Sequence, residues 1–322
     1  MPSALSSAEG GQKHFLCPLD TKFNFEEEGT IVMKRKTLTA LLLALGLALS
    51  LAACGGNSGT NESAANDAGT AAQDAQTNEA ADGGAEAESE AGLQTVVPGK
   101  LTMTTNAAFP PYEMTTDAGG FEGIDVEIAG KIAEKLGLEL QVDDIDFDSA
   151  LLAVQQGKSD IVMAGVSVTE DRLAVMDFSD SYATGIQVVI IPEGSDVTMD
   201  NLGEKMIGTQ RGTTGYMYAS ASPEEGGYGD DHVLAYDNGM TAVQALLNGQ
   251  IDCIIIDSAP AAEFVKANPG LTILEGDWVR EEYAIGMDKG NTAMVEAINA
   301  ALSELKEDGT VQAIIDKYIT AE

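Results

Sequence analysis

The chain has 322 residues and carries 17 Lys and Arg against 52 Asp and Glu, a formal charge of −35 at pH 7. Such an acidic balance excludes nucleic-acid binding as the default function, because phosphate recognition needs a basic face. Three Cys and two His leave too little material for a Cys/His zinc site or a disulfide framework, so no metal and no cofactor is expected.

Met33 to Cys54 reads as a secretory signal: a basic head at Lys34, Arg35 and Lys36, an apolar run from Leu38 to Leu51, then small residues before Cys54. The run is too short for a comfortable membrane span. Leu51-Ala52-Ala53-Cys54 resembles the bacterial lipobox, so residues 33–53 are expected to be removed and Cys54 to carry lipid. Two or more acyl chains there would anchor the protein stably, whereas one would be marginal. Residues 1–32 match no targeting pattern, and a start codon assigned too far upstream is expected to account for them. Residues 55–95 hold eight acids, no Lys or Arg and Leu93 as their single large apolar residue. Such a segment cannot bury enough to order itself, and a disordered tether is expected over 54–95.

From Lys100 short apolar runs alternate with helical patterns, the rhythm of an α/β fold. Strands are predicted over Leu101 to Thr105, Leu138 to Val142, Asp160 to Met163 and Ile186 to Ile191. Ile124, Ile128, Ile132 and Leu136 recur every four residues, which predicts an amphipathic helix from Gly123 to Leu136. A second helix is predicted from Ser149 to Gln156. After Pro192 the grammar repeats, with strands at Lys205 to Thr209 and Ile251 to Ile256 and helices from Thr213 and over Met240 to Asn248. In both halves a helix stops at Gly (Gly157, Gly249), and an Asp three residues later (Asp160, Asp252) opens an apolar strand. Two helices are predicted between Asn291 and Tyr318, with Ala293, Ala297, Ile298, Ala301, Leu302 and Leu305 on one face. The natural packing is two lobes, 96–186 with 287–322 and 187–286, joined by crossovers near Ala183 to Gln187 and Tyr283 to Met287, with a cleft between them.

Arg172 follows a strand, a small-residue loop at Gly165 to Ser167, and a capping-type helix start at Thr169. A loop beyond a strand's carboxyl end is where open α/β sheets take ligands, and Arg172 is either a bidentate grip on a carboxylate or a surface residue. Gly212-Thr213-Thr214, between a strand and a helix, is either a ligand-facing loop or a plain helix cap. Asp257 ends the buried run Ile254-Ile255-Ile256, and must be partnered by a ligand ammonium or by the next helix's N–H groups. Phe109, in the stiff Phe-Pro-Pro-Tyr run ending at Tyr112, is an aromatic wall or a core staple. Asp144, Asp146 and Asp148 alternate like a calcium loop, but Ser149 and Gln155 stand where its Gly and closing Glu belong. No Gly-x-Ser-x-Gly elbow or P-loop is present, and no catalytic residue is assigned.

Thr105 to Glu113, Gly123-Ile124-Asp125-Val126, Phe147-Asp148, Gly157 to Asp160 and Ala164 to Arg172, with Gly212-Thr213-Thr214 and Ile256-Asp257, resemble the family 3 extracellular solute-binding proteins. The resemblance spans residues 99 to 320. It implies a two-lobed type II periplasmic-binding-protein fold, and an amino-acid receptor, not an enzyme, serving the membrane permease of an ABC importer. By position, Arg172 matches the family's clamp on the ligand α-carboxylate, aided by Ser167 and Thr214 and the backbone near Gly165, and Thr213 is a further expected ligand contact. Asp257 matches the acceptor for the α-ammonium, and Phe109 and Phe147 match positions that sandwich the side chain. Asn106 matches a position often Asp in relatives, and the missing charge argues against a strict preference for Lys, Arg or His. A lipid-anchored monomer on the outer face of the membrane, in a Gram-positive setting, completes the expectation. A few dehydratases share this architecture and supply the alternative, an enzyme acting on a small carboxylate.

Overall fold

The computed structural model describes residues 93–319. The signal segment, Cys54 and the tether up to residue 92 lie outside the described residues. Among the described residues no helix is long and apolar enough to cross a membrane.

The first pass of the chain builds lobe 1. It starts with β1 (Lys100–Thr105) and a meander of β2 (Ala108–Phe109), β3 (Glu113–Thr115) and β4 (Phe121–Glu122). It continues through α1 (Ile124–Lys135), β5 (Glu139–Asp144), α2 (Phe147–Gln155), β6 (Ile161–Val162), α3 (Glu170–Val175) and β7 (Met176–Phe178). Lobe 2 holds β8 (Ala183–Pro192), β9 (Ile207–Gln210), α4 (Thr214–Ser220), β10 (Val233–Tyr236), α5 (Gly239–Leu247), β11 (Cys253–Asp257), α6 (Ser258–Ala267), β12 (Leu271–Ile273) and β13 (Val279–Tyr283). The chain then returns through β14 (Gly286–Asp288), α7 (Thr292–Glu307) and α8 (Thr310–Tyr318). The first sheet has the order β5-β1-β6-β14-β7, and the second runs β10-β9-β11-β8-β12 with β13 also on β8. Each sheet is parallel at its core, β1 between β5 and β6 and β9 between β10 and β11, and antiparallel where the crossing strands join.

The helix periodicity translates directly into packing. Ile124, Ile128 and Ile132 are fully buried on α1, each worth roughly 1.5–3 kcal/mol by burial. The helix starts one residue later than predicted because Gly123 adopts φ +128°, and a Cβ there would lie 2.2 Å from the Tyr112 carbonyl oxygen. The Gly-to-Asp repeat has a physical basis in both lobes. Asp160 accepts from the N–H of Thr102 on β1 at 2.8 Å, and Asp252 accepts from the N–H of Met206, just before β9, at 2.8 Å. Each carboxylate thus ties the strand it opens to its parallel neighbour. On α7 the predicted face needs one correction: Ala293 is exposed and Met294 fills the core beside Ile298.

The two crossing segments lie side by side. β8 and β13 pair antiparallel from Ala183↔Tyr283 to Gln187↔Val279. The loop after β6 is tied to the same place, since Ser167 bridges Tyr283 and the Val168 N–H donates to the Glu282 carbonyl at 3.0 Å. Residues that line the cleft are therefore fastened to the strands on which the lobes would pivot. Cys253 is buried on β11 as a free thiol, and burial pushes its pKa up to about 12.

Candidate functional site

One cavity lies between the lobes. All nine residues expected to contact a ligand line it: Asn106, Phe109, Phe147, Gly165, Ser167 and Arg172 from lobe 1, and Thr213, Thr214 and Asp257 from lobe 2.

Arg172 sits in the middle of the six-residue α3, whose N-terminus is capped by Thr169 accepting from the Arg172 N–H at 3.2 Å. The side chain is buried, not on the surface. Its Nη1 donates to the Ser167 carbonyl at 2.8 Å and its Nη2 crosses the cleft to the Gly212 carbonyl at 3.1 Å. The guanidinium lies 5.5 Å from the centre of the Phe147 ring, a cation–π arrangement. Burial lowers its pKa while the Glu281 carboxylate opposes that shift, and a guanidinium so placed stays charged. Two of its five N–H donors are engaged by these carbonyls, so others remain to meet an anion.

Lobe 2 faces Arg172 with carboxylates. Asp257 is 7% exposed at the end of β11 and makes no side-chain cap to α6, which removes the helix-N–H explanation for it. Its Oδ2 accepts from Gln187 Nε2 at 2.7 Å, whereas Oδ1 has no hydrogen-bond partner among the described residues. The Tyr283 hydroxyl lies close enough to steady this carboxylate without meeting hydrogen-bond geometry. Burial pushes the Asp257 pKa up to about 7, with Glu281 adding to the rise and Tyr283 and Gln187 opposing it. The same Gln187 amide donates to Glu281 Oε2 at 3.1 Å. Thr214 also gives its hydroxyl proton to Glu281 Oε2, at 2.8 Å, so toward the cavity it offers an acceptor. Thr213 lines the cavity as the cap of α4, accepting from the Tyr216 N–H at 3.3 Å and donating to the Gln210 carbonyl at 2.8 Å.

The lobe 1 floor rests on a buried acid pair. Asp125 Oδ2 accepts from the Gly165 N–H at 2.9 Å and Oδ1 from the Tyr182 hydroxyl at 2.7 Å. Glu113 lies against Asp125, 1% exposed, and burial and the neighbouring charge push its carboxyl well above the usual range. Asp125 itself is pushed up to about 6 by burial, with the Gly165 and Tyr182 donors holding it down. Gly165 adopts φ +55°, and a Cβ there would stand 2.9 Å from Phe109 Cε1, so only Gly lets the loop meet the ring. Phe109 stacks on Tyr112 at 5.8 Å, and Tyr112 meets Tyr283 edge-on at 5.2 Å, so Phe109 is both a cavity wall and part of the core. Asn106 accepts at Oδ1 from Gln210 Nε2 across the cleft at 2.9 Å, and its own amide donates to the Ile145 carbonyl at 3.0 Å.

Sequence reasoning missed Glu113, Gln187, Gln210 and Glu281. Gln187 is the lone polar residue in the apolar stretch Ile186 to Ile191, a signal in itself. Glu281 shares the inward face of β13 with Tyr283 by simple alternation, hidden because no strand was predicted there. Among the described residues no group of three or more His, Cys, Asp or Glu has metal-holding geometry.

A family model described as "Bacterial extracellular solute-binding proteins, family 3" matches residues 101–321. The chain is 34% identical over 233 residues to the "Probable histidine-binding protein" of Neisseria gonorrhoeae, covering 70% of this chain and 85% of that protein. It is similar to the solved structure "An ancestral arginine-binding protein bound to arginine", with 36% identity and a TM-score of 0.64 over 69% of this chain and 98% of the other. A related structure, "An ancestral arginine-binding protein bound to glutamine", gives 35% identity and a TM-score of 0.64 over 70% of this chain and 100% of the other.

Proposed function

The chain belongs to the bacterial extracellular solute-binding proteins of family 3, and on that premise we propose that it closes on a free amino acid in the interlobe cavity and delivers it to the permease of an ABC importer. The observation that carries this reading is that Arg172 and Asp257 line one cavity from opposite lobes. A zwitterion needs one cation and one anion in a dry cleft, and a ligand that engages both favours the closed arrangement by population shift. The α-carboxylate lies on Arg172, with the backbone of the Gly165 to Ser167 loop beside it. The α-ammonium lies on Asp257 with the Thr214 oxygen as a second acceptor, and Phe109 and Phe147 flank the side chain. A relative named for histidine and an ancestral arginine-binding protein solved with arginine and with glutamine support this ligand class.

The lipobox-like Leu51 to Cys54 supports a lipid anchor at Cys54, with the acidic tether letting the receptor move above the membrane of a Gram-positive surface. The receptor acts as a monomer and changes nothing in its ligand. No observation at the site favours the dehydratase reading.

The test is a thermal-shift screen of the purified protein against the twenty amino acids, with dipeptides and simple organic acids as controls. Stabilisation by one or a few amino acids, recovered unchanged afterwards and absent in Arg172→Ala, is expected. No shift with any amino acid, or recovery of a chemically altered ligand, would overturn the reading.

A further inference from the structure

We infer that the bound amino acid carries a cationic group in addition to its α-ammonium, an amino acid of the arginine or lysine class. The inference rests on the receptor reading above and deepens it. It begins with the charge in and around the cavity. Arg172 is the one basic residue among those that line it, while Glu113 and Asp257 line it and Asp125 and Glu281 stand directly behind. All four carboxyl groups are buried, with exposures between 0% and 8%. A proton held between Glu113 and Asp125 still leaves one negative charge on that pair, and Asp257 and Glu281 add two more when ionised. A zwitterionic ligand adds no net charge, and so leaves the excess buried, which is costly.

The cavity wall and the shell behind it also hold unpartnered polar atoms. Glu113 Oε2, Asp257 Oδ1 and Glu281 Oε1 are each buried without a hydrogen-bond partner among the described residues. Gln187 Oε1 is in the same condition, because its amide nitrogen is already spent on Asp257 and Glu281. Asp257 Oδ1, Glu281 Oε1, Gln187 Oε1 and the Thr214 oxygen are acceptors, and the four outnumber what a single α-ammonium with three N–H groups can satisfy. These acceptors belong to lobe 2, while the Glu113–Asp125 pair keeps one negative charge at the lobe 1 wall, so a ligand with two separated cationic groups would meet negative charge from either side. The negative charge absent at Asn106 is therefore restored elsewhere in the cavity wall. Asn106 itself is occupied with Gln210 and the Ile145 carbonyl.

Calorimetry on the purified protein with ligand pairs of matched shape decides the matter: L-arginine against L-citrulline, and L-lysine against L-norleucine. Arginine is expected to bind at least about tenfold tighter than citrulline, equivalent to about 1.4 kcal/mol. That ratio should shrink at least about threefold in Glu281→Gln or Glu113→Gln. Citrulline binding as tightly as arginine, together with norleucine binding as tightly as lysine, overturns this inference and leaves the receptor reading intact. Absence of binding by every amino acid overturns the receptor reading instead. The wild-type comparison stands whether or not either variant folds. A charge preference unchanged in both folded variants would also overturn the assignment to these carboxylates.

Discussion

Arg172 enters the cavity from lobe 1 on a six-residue helix, whereas Asp257 enters from lobe 2 at the carboxyl end of a buried strand. The guanidinium is cradled by two backbone carbonyls and remains charged at any working pH. The carboxylate keeps one oxygen unpartnered, and burial pushes its pKa up to about 7. The lobes therefore differ in how they hold charge: lobe 1 offers a fixed cation, and lobe 2 an anion whose charge depends on pH and on what fills the cleft. A ligand that brings a cation to lobe 2 supplies what that lobe lacks, which is a physical reason for closure to follow binding.

The largest expected effect comes from breaking the lobe 1 side. Arg172→Ala should cost about 2–5 kcal/mol of binding, roughly 30-fold to several thousandfold in Kd by calorimetry. Near-native affinity would remove Arg172 from the ligand clamp. On the lobe 2 side Asp257→Asn keeps the shape and removes the charge. A hydrogen bond to a charged group is worth about 1.5–3 kcal/mol, so affinity should fall about 10- to 150-fold. An unchanged Kd would mean that the ammonium lies elsewhere.

A pH titration sharpens the comparison, because it should act on lobe 2 and leave Arg172 alone. If the ligand requires ionised Asp257, lowering the pH from 8 to 6 should weaken binding about tenfold, and Asp257→Asn should lose that dependence. Stability without ligand runs the other way. A carboxyl whose folded pKa is raised from 3.8 to about 7 contributes stability that is complete below 3.8 and lost as pH rises through about 7. The Tm of Asp257→Asn relative to the unsubstituted protein should therefore climb between pH 5 and pH 8. A Tm difference that stays flat over that range would show that Asp257 does not carry the pH-dependent cost.

The parts of the fold legible in the sequence are those that rest on a local period or a local stop. The four-residue spacing of Ile124, Ile128 and Ile132 located α1 to within a residue at each end, and Thr169 located the start of α3. The fold class and the family followed from motifs kept in order along the chain. What escaped was set by partners distant in sequence. β13 reads as the charged run Val279 to Tyr283, and it becomes a strand because β8, about a hundred residues earlier, offers it an edge. With that strand unseen, Glu281 could not be placed behind Asp257. Glu113 was equally hidden, because its significance lies in burial against Asp125, which no spacing reveals. The nine expected ligand contacts do line one cavity, yet the hydroxyls of Thr213 and Thr214 are committed to the Gln210 carbonyl and Glu281. Residue type located these side chains, but only the structure shows which of their hydrogen-bonding groups remain to meet a ligand.

The smallest expected effect tests whether the lobes are also joined directly, independent of charge. Gln210 donates to Asn106 across the cleft at 2.9 Å and to the Asp237 carbonyl within its own lobe at 3.2 Å. A neutral hydrogen bond is worth about 0.5–1.5 kcal/mol, so Gln210→Ala should weaken binding about 2- to 12-fold by disfavouring the closed arrangement. The same loss would arise if Gln210 merely braced the turn at Asp237, and a double-mutant cycle separates the two causes. With Asn106→Ala as the background, removal of Gln210 should cost little more if the cross-cleft bond is the source. A full, additive loss would place its role inside lobe 2, leaving Arg172 to Gly212 as the hydrogen bond that spans the cavity without a ligand. In that case the direct link between the lobes is the Arg172 side chain itself, and Arg172→Ala removes it together with the proposed carboxylate clamp.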